Sequence, residues 1–194
     1  MLFLTGFWRS PHRLSGRTIR EMSFTIIRAE PSDWEDYRAI RLRSLREEPT
    51  AYESQYETEV LYEPELWRQR LTAGGTFLAF DDDHGLVGTA TGLRIDDGDT
   101  LVVGMYVAPE ARGQGCAHQL LDAIADQGIE RKDERLVLDV NQSNLRAVRS
   151  YRSYGFVETG RQRVMDRDPS ITEVEFAYAL AHESRATENV GEGP

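Results

Sequence analysis

The chain has 194 residues, 40% of them hydrophobic, a formal net charge of −10 and a single cysteine, Cys116. The length favours one domain with a sizeable core, and the acidic charge argues against a nucleic-acid-binding surface. One cysteine excludes an intrachain disulfide framework and is typical of a reducing compartment, so we predict a cytoplasmic protein. The sequence has no apolar run near the length needed to cross a bilayer, so we predict no membrane partner. The four scattered histidines form no ligand pattern, so no metal is predicted.

The two ends of the sequence differ from the region between them. Residues 1–21 have a short apolar run followed by four arginines, which is the reverse of the order in a secretory signal. We interpret residues 1–21 as an N-terminal extension, either an upstream start or an appended tail, and expect it to be disordered. Residues 182–194 have no apolar periodicity and are expected to form a flexible C-terminal tail. The predicted domain is 22–181.

The first half of the domain predicts one strand, two helices and a hairpin, in that order. A strand at 23–29 precedes a helix that begins at Ser32. A polar, tyrosine-rich connection at 47–60 leads to a second helix, which begins near Pro64 and ends at the glycine pair 74–75. The next two strands are separated by the turn DDDHG, which predicts an antiparallel hairpin.

The second half predicts strands and helices in alternation. A nearly all-apolar segment at 100–107 is typical of a central strand buried on both faces. A helix to about Arg131, a strand at 135–140, a helix at 144–154 that ends before Gly155, and strands near 156–163 and 172–180 follow. The order predicts a single-domain α/β fold whose sheet is mixed, mostly antiparallel and six- to seven-stranded, with helices on both faces.

The segment MYVAPEARGQGCAHQL, which starts at Met105, joins an apolar strand to a helix through Arg112, Gly113 and Gly115. Glycines let the backbone approach a ligand closely, and the free N–H groups at the start of the following helix favour an anion. Arg112 adds a charge suited to phosphate oxygens. A P-loop is excluded because no lysine follows, and the dinucleotide fingerprint lacks its third glycine. The pattern therefore predicts a pyrophosphate cradle, and the alternative is a tight turn without a ligand.

Two blocks of the sequence resemble the GCN5-related N-acetyltransferase (GNAT) family. The block VAPEARGQGCA is similar to the family's [Q/R]-x-x-G-x-[G/A] motif through Arg112, Gly115 and Ala117. The block LDVNQSNLRAVRSYRSYGFVETG is similar to its N-x-x-A-x-x-x-Y-x-x-x-G-F motif. The matching residues of that block are Asn144, Ala147, Tyr151, Gly155 and Phe156. The resemblance extends over about residues 23–181 and implies the acyl-CoA N-acyltransferase fold.

The resemblance also implies a place for acetyl-CoA, in the gap where the strand that ends at Val107 diverges from the strand at 135–140. The backbone of Met105 and Val107 is implied to pair with the pantetheine arm. A bulge near Gly104 and Met105 is implied to free an N–H group for the thioester carbonyl. The residues implied to bind this cofactor are Met105, Tyr106, Val107, Arg112, Gly113, Gln114, Gly115, Cys116, Ala117 and Asn144.

The catalytic residue implied by the resemblance is Tyr151, whose hydroxyl is expected near the sulfur. A phenol titrates near ~10 and a thiol near ~8.5, so a proton can pass from Tyr151 to the leaving thiolate. The general base is not identified, because the strand before the glycine loop carries no glutamate. Glu53, Glu57 or a water relay are the alternatives. The residues predicted to line the amine pocket are Tyr52, Glu53, Tyr56 and Glu57.

The function implied is an acetyl-CoA-dependent N-acetyltransferase that needs no metal and works by direct attack in a ternary complex. The acceptor is a small amine, a peptide N-terminus or a lysine, and the acidic chain favours a cationic one. The alternative is a non-catalytic acyl-CoA-binding sensor or interaction module of the same fold. No nucleic-acid or membrane partner is predicted. The acceptor's identity stays open, as does a homodimer, which is common in the resembled family.

Overall fold

The computed structural model describes residues 24–73, 75–95 and 98–181, so the extension predicted at 1–21 and the tail predicted at 182–194 lie outside the described residues. The strands are β1 (Thr25–Arg28), β2 (Gly75–Asp81), β3 (Gly85–Arg94), β4 (Thr100–Val107), β5 (Arg135–Asn141), β6 (Val157–Met165) and β7 (Asp168–Ala179). The helices are α1 (Trp34–Glu47), α2 (Tyr56–Glu59), α3 (Pro64–Ala73), α4 (Cys116–Arg131) and α5 (Leu145–Tyr154).

The strands form one seven-stranded sheet in the order β1-β2-β3-β4-β5-β7-β6. Neighbouring strands are antiparallel except β4 and β5, which are parallel. The predicted hairpin is β2–β3, where the Asp81 carboxylate accepts hydrogen bonds from the backbone N–H groups of Asp83 and His84 in the turn. The predicted fold class, a single mixed α/β domain with a mostly antiparallel sheet, is confirmed.

The neighbours of the β3 residues show which helix covers each face of the sheet, because successive side chains of a strand point to opposite faces. A Cβ on Gly92 would contact Ile124 of α4 at 2.8 Å, so this side of β3 packs against α4. On the other side, Thr91 and Leu93 line a cavity together with Tyr37 of α1. Helices α1 and α4 therefore cover opposite faces, and the space under α1 remains partly open.

Strands β4 and β5 diverge soon after they begin. Their pairing is limited to Thr100 with Leu136 and Leu101 with Val137, although the strands have eight and seven residues. On its other edge β4 carries an extra residue between Val103 and Tyr106, where β3 advances by only two residues. The bulge contains Gly104 at φ +63°, a left-handed conformation that glycine adopts without strain. The gap and the bulge lie at the same end of β4.

Two local expectations are corrected. Strand β4 is not buried on both faces, because Leu101, Val103, Met105 and Val107 are only half-buried where they face the gap. The first helix begins at Trp34, not at Ser32, because Pro31–Asp33 form a 3-10 turn in which the Asp33 carboxylate accepts the Glu30 backbone N–H at 2.8 Å. The tyrosine-rich connection also contains the short helix α2, which was not predicted.

Candidate active site

The loop between β4 and α4 forms one wall of a cavity of about 430 Å³, which we call the glycine-loop cavity. Gly113 and Gly115 adopt positive φ values of +73° and +88°, and Gly115 is the N-cap of α4. The first turn of α4 has no acidic residue and Gly115 offers no side-chain cap. Backbone N–H groups at a helix start that lack such partners attract an anion. The loop therefore has the features of a phosphate-binding turn.

Two arginines at the mouth of this cavity share one carboxylate. Arg112 donates from Nε to the Val107 carbonyl at 2.8 Å and from Nη2 to Glu48 Oε1 at 3.0 Å. Arg146 of α5 donates from Nη2 to the same Glu48 oxygen at 2.5 Å. The group of three carries one net positive charge, and all three residues line the cavity. Glu48 follows α1 directly, so this ion pair joins the start of the tyrosine-rich connection to the glycine loop.

Three residues predicted to bind the cofactor have side chains that are hydrogen-bonded or buried within the protein. The Gln114 amide donates to the Glu110 carbonyl at 2.8 Å, and Gln114 is not among the lining residues. The Tyr106 hydroxyl donates to Glu47 at 2.6 Å from a buried ring. The side chain of Cys116 is buried, and burial raises the pKa of its thiol to about 12. A thiol with that pKa is a poor nucleophile at neutral pH, so Cys116 is not a candidate for covalent catalysis.

A second cavity of about 530 Å³ lies under α1 and the tyrosine-rich connection, and we call it the acidic cavity. Its charged lining residues are the carboxylates Glu53, Glu59, Asp139 and Glu173 and the arginines Arg41, Arg70 and Arg163. Carboxylates are thus in the majority by one. Much of the apolar part of its lining comes from residues 101–105 of β4.

The two cavities meet at a small group of shared residues. These residues are Ala51, Tyr52, Met105, Asn144, Ala147 and Tyr151. The Tyr52 hydroxyl donates to the Met105 carbonyl at 2.9 Å, so the tyrosine-rich connection is fixed to the bulge of β4. A group that lies at this junction is reached from both cavities.

Helix α5 supplies Asn144 and Tyr151 to the junction. Asn144 is the N-cap, and its Oδ1 accepts the Ala147 backbone N–H at 3.2 Å. Its Nδ2 group is left to face the shared space. The Tyr151 ring packs edge-on against Phe156, with a centroid distance of 5.7 Å. Burial raises the pKa of Tyr151, so its hydroxyl keeps its proton at neutral pH. Gly155 ends the helix at φ +118°, which sets the direction of the chain into β6.

One end of the acidic cavity is a buried network around Glu59. Arg41 binds Glu59 through Nε at 3.1 Å and Nη2 at 3.0 Å, and Arg70 adds a bond from Nη1 at 2.9 Å. The Glu59 side chain has no exposed surface. Burial alone raises the pKa of Glu59, but the hydrogen bonds and charges of Arg41 and Arg70 outweigh it and hold the pKa below its usual range. This network is therefore an ionised wall of the cavity at neutral pH.

At the opposite end, Arg163 of β6 contacts three carboxylates. Its Nε lies 3.1 Å from Asp139 Oδ2, its Nη1 lies 3.4 Å from Glu53 Oε1, and its Nη2 lies 2.7 Å from Glu173 Oε2. Asp139 belongs to β5, Glu173 to β7 and Glu53 to the tyrosine-rich connection. The group carries two net negative charges. Glu53 also accepts the backbone N–H groups of Asp166 and Arg167, which fix the connection to the β6–β7 turn.

The structure brings together only part of the predicted amine pocket. Tyr52 and Glu53 line the acidic cavity. Tyr56 and Glu57 do not line it: the Tyr56 ring stacks with Arg46 at 4.6 Å, and Glu57 is exposed. Both residues belong to the short helix α2.

Sequence reasoning missed six of the seven charged residues of the acidic cavity. They are Arg41, Glu59, Arg70, Asp139, Arg163 and Glu173. One signal was available for Glu173, since it lies on the polar side of a strand that otherwise alternates cleanly with apolar residues. Glu173 is nevertheless only 5% exposed. The other five carry no local pattern that separates them from surface charges.

The described residues contain neither a candidate metal-binding group nor a helix that could span a membrane. No group of three or more histidine, cysteine, aspartate or glutamate side chains in 24–73, 75–95 and 98–181 is arranged to hold a metal ion. Among the helices in these ranges, none has the length and apolar character that crossing a bilayer requires.

A family model described as the acetyltransferase (GNAT) family matches residues 34–156. No curated protein matches the chain by sequence. Among solved structures, a GNAT-family acetyltransferase from Streptococcus pneumoniae superposes with a TM-score of 0.70 at 19% identity and covers 82% of this chain and 100% of its own. The ribosomal-protein-S18-alanine N-acetyltransferase from Escherichia coli superposes with a TM-score of 0.62 at 20% identity and covers 88% and 100%.

A third solved structure extends this group. The ribosomal-protein-alanine N-acetyltransferase from Brucella melitensis superposes with a TM-score of 0.65 at 23% identity, covering 80% of this chain and 99% of its own. At these identities the superpositions show that the fold is shared. The family model covers well over half of the chain, including the glycine loop and all of α5.

Proposed function

The chain belongs to the GNAT acetyltransferase family, and we propose that it transfers an acetyl group from acetyl-CoA to a primary amine by direct attack in a ternary complex. The observation that carries the proposal is the junction of the two cavities at Tyr52, Met105, Asn144 and Tyr151. One cavity has the chemistry of a phosphate site and the other has an excess of carboxylates. Two substrates that approach from opposite sides would place their reacting atoms at this junction.

The glycine-loop cavity fits the diphosphate end of acetyl-CoA. The positive φ values of Gly113 and Gly115 and the uncapped first turn of α4 support an anion there, and Arg112 and Arg146 supply positive charge. The widening gap beside β4 leaves space for an extended pantetheine arm along Met105 and Val107. When bound, acetyl-CoA supplies the activated acetyl group. The bulge at Gly104 and Met105 supports our proposal that a backbone N–H there faces the thioester oxygen.

We assign Tyr151 the role of the acid that protonates the leaving thiolate. Its ring is held by Phe156 and it lines both cavities, so its hydroxyl has access to the junction. Burial raises the pKa of Tyr151, which keeps the proton on the hydroxyl until a thiolate forms beside it. Asn144 both caps α5 and, in this proposal, hydrogen-bonds the pantetheine through its amide.

The proposed acceptor is a primary amine that carries positive charge before it reacts. A small amine, a peptide N-terminus and a lysine all meet this description, and two of the structural neighbours are named as acetyltransferases of ribosomal-protein alanine. The excess of carboxylates in the acidic cavity favours a cationic acceptor over a neutral or anionic one. A cytoplasmic location and a homodimer stay predictions.

The proposal is tested with the full-length protein by calorimetric titration with acetyl-CoA and by a thiol-release assay. The acceptor panel is n-butylamine, putrescine, a lysine-containing peptide and a peptide with a free N-terminal alanine. We expect binding, and thiol release with at least one acceptor. Binding without release on any acceptor would favour the non-catalytic sensor, and absence of binding would reject the assignment of the glycine loop.

The variant Tyr151→Phe tests the acid. We expect kcat to fall about 10²–10³-fold while the affinity for acetyl-CoA stays within about threefold, because general acid catalysis contributes in this range. Tyr154→Phe is the matched control. Tyr154 lies on the same helix, but its hydroxyl donates to Asp122 at 2.9 Å and it lies outside both cavities. Equal losses in the two variants, or a Tyr151→Phe enzyme with normal kcat, would contradict the assignment.

A further inference from the structure

Direct attack requires a neutral amine, and the strand before the glycine loop carries no carboxylate to take the proton. The acidic cavity contains four carboxylates. We propose that the carboxylate of Glu173 is the general base that takes the proton from the acceptor amine. This inference rests on the proposed acetyl transfer and names a residue of the same site.

Two of the four carboxylates differ from Glu173 in exposure. The side chains of Glu53 and Asp139 are 38% and 30% exposed, so bulk water solvates their charge. The Glu173 side chain is 6% exposed, and the surface that it retains is part of the cavity lining. A carboxylate that is shielded from bulk water has a stronger tendency to accept a proton.

Glu59 differs from Glu173 in its partners. Both Glu59 oxygens are bound by arginines, through two bonds from Arg41 and one from Arg70. Those contacts hold the pKa of Glu59 below its usual range. A carboxylate in that state is a weak base and is committed to the structure of the cavity wall.

Glu173 has fewer partners than Glu59. Its Oε2 forms an ion pair with Arg163 Nη2 at 2.7 Å and has no hydrogen-bond partner among the described residues. Arg163 is also shared with Asp139 and Glu53, so Glu173 holds only part of one positive charge. Protonation of Glu173 therefore weakens one shared ion pair, whereas protonation of Glu59 would disrupt three bonds from two arginines.

The electrostatic surroundings of Glu173 agree with the role of a base. Burial raises the pKa of Glu173, Arg163 on β6 lowers it, and Asp139 on β5, Glu53 on the connection and Asp166 in the β6–β7 turn raise it further. The net effect is a pKa of Glu173 that is raised from the ordinary value of a glutamate. A base is most effective when its pKa approaches the working pH, and enzymes raise glutamate pKa values by burial for this purpose.

All protons of the reaction are accounted for when Glu173 is the general base and Tyr151 is the general acid. Glu173 takes one proton from the ammonium form of the acceptor, directly or through a water molecule, and later releases it to solvent. The neutral nitrogen forms a bond to the acetyl carbon, and the bond from that carbon to sulfur breaks. The thiolate takes the Tyr151 proton, and the new amide nitrogen loses its extra proton to the tyrosinate. The products are the N-acetylated amine, free CoA thiol and one proton.

The test compares wild type with Glu173→Gln, using the panel member that wild type acetylates best. We expect kcat at pH 7 to fall about 10²–10⁴-fold. The deficit should shrink as the pH approaches the pKa of the amine itself, ~10 for an alkylamine or lysine and ~8 for a peptide N-terminus, because neutral amine is then present without a base. Acetyl-CoA affinity should not change, because Glu173 does not line the glycine-loop cavity.

Glu175→Gln is the matched control. Glu175 lies two residues along the same face of β7, pairs with Arg161 at 3.5 Å and lies outside both cavities. We expect wild-type kcat from this variant. If Glu173→Gln does not fold, Glu173→Asp moves the carboxylate back by one methylene, and a drop of tenfold or more that narrows towards pH 10 is expected.

Three results would overturn the inference. One is a Glu173→Gln enzyme with kcat within threefold of wild type at pH 7. Another is a deficit, in Glu173→Gln or Glu173→Asp, of the same size at every pH, which would indicate a structural role alone. The third is a wild-type protein that acetylates no amine, in which case the proposed function fails and the inference fails with it.

Discussion

In the glycine-loop cavity one carboxylate, Glu48, lies between two arginines, whereas in the acidic cavity one arginine, Arg163, lies between three carboxylates. The first group carries one net positive charge and the second two net negative charges. Each net charge is opposite to that of the ligand that we propose for the cavity, a diphosphate in the first and an ammonium group in the second. The negative Glu48 already pairs with the arginines that we expect to attract the diphosphate. The positive Arg163 already pairs with the carboxylates that we expect to attract the ammonium group.

The two cavities also differ in how the chain builds them. The glycine-loop cavity takes most of its lining from two short stretches, 105–118 and 144–153. The acidic cavity draws on the first helices, on β2, β3, β4, β5, β6 and β7, and on the tyrosine-rich connection. One cavity is thus a local backbone feature, and the other depends on side chains that meet only in the folded protein. The tyrosine-rich connection belongs to both, since it contributes Glu48 to one group and Glu53 to the other.

The largest effect is expected where the acidic cavity depends on a buried ion pair. Glu59→Gln removes the charge that compensates Arg41 and Arg70, and Arg41 is itself only 9% exposed. Leaving a buried charge without its partner costs about 3–5 kcal/mol. We expect a loss of this size in the free energy of unfolding, measured by urea denaturation at pH 7. Glu65→Gln removes an exposed pair with Arg68 at 3.6 Å and should change the free energy by less than about 0.5 kcal/mol.

The pH dependence of the free energy of unfolding is a second test of the ion pairs of Glu59. The pKa of Glu59 is lowered by folding, so its contribution is present above the unfolded value near ~4.3 and is lost as the pH falls through the folded value. The difference in stability between wild type and Glu59→Gln should therefore shrink below about pH 4. A difference that stays constant down to pH 3 would show that packing, and not charge, carries the effect.

The sequence allowed good prediction of the glycine-loop side of the molecule. The bounds of β4 at Thr100 and Val107, the start of α4 after Gly115, and the helix ends at Asn144 and Gly155 all follow from short-range chemistry of glycine, asparagine and apolar runs. Each of these features is decided within a few residues of chain. A single sequence is sufficient for such features.

The acidic cavity had no comparable local signal. The contact between Glu53 and Arg163 joins residues 110 positions apart, and Arg41 reaches Glu59 across a helix end and a loop. The pairing of these charged side chains depends on the strand order β5-β7-β6, in which the last strand of the chain lies between two earlier strands. Burial of Glu173 on the polar side of β7 follows from the same topology, because the tyrosine-rich connection covers that face. None of this is encoded in spacing.

A smaller effect is expected at the glycine loop, where a pair of glycine variants distinguishes backbone strain from loss of ligand binding. Gly115 and Gly85 both have positive φ, +88° and +70°, and an added Cβ would meet no described atom within 4 Å at either. Gly115→Ala and Gly85→Ala should each lower the free energy of unfolding by about 1–2 kcal/mol, because an L-residue is strained in this conformation. Only Gly115→Ala should also weaken acetyl-CoA binding, by roughly tenfold, which corresponds to ~1.4 kcal/mol.

Calorimetric titration of both variants checks this prediction. Gly85 lies in the β2–β3 turn, outside both cavities, so it reports the cost of strain alone. Equal affinity in the two variants would contradict the assignment of the α4 N-terminus as the phosphate site.

The smallest effect concerns Glu48, whose carboxylate competes with the proposed diphosphate for Arg112 and Arg146. In Glu48→Gln both arginines keep their positions near the cavity but lose the internal negative charge. Half-exposed ion pairs contribute about 0.2–1 kcal/mol, so we expect acetyl-CoA to bind about two- to fivefold more tightly at low salt. The gain should fall as ionic strength rises, because the Debye length shortens to ~8 Å at 0.15 M. Glu158→Gln breaks a comparable ion pair, with Arg152 at 3.2 Å outside the cavity, and should leave affinity unchanged. If Glu48→Gln binds more weakly instead, Glu48 acts by orienting the two arginines. Glu48 would then be part of the binding site and not a competitor of the diphosphate, so the two cavities would differ in how their central side chain affects the ligand.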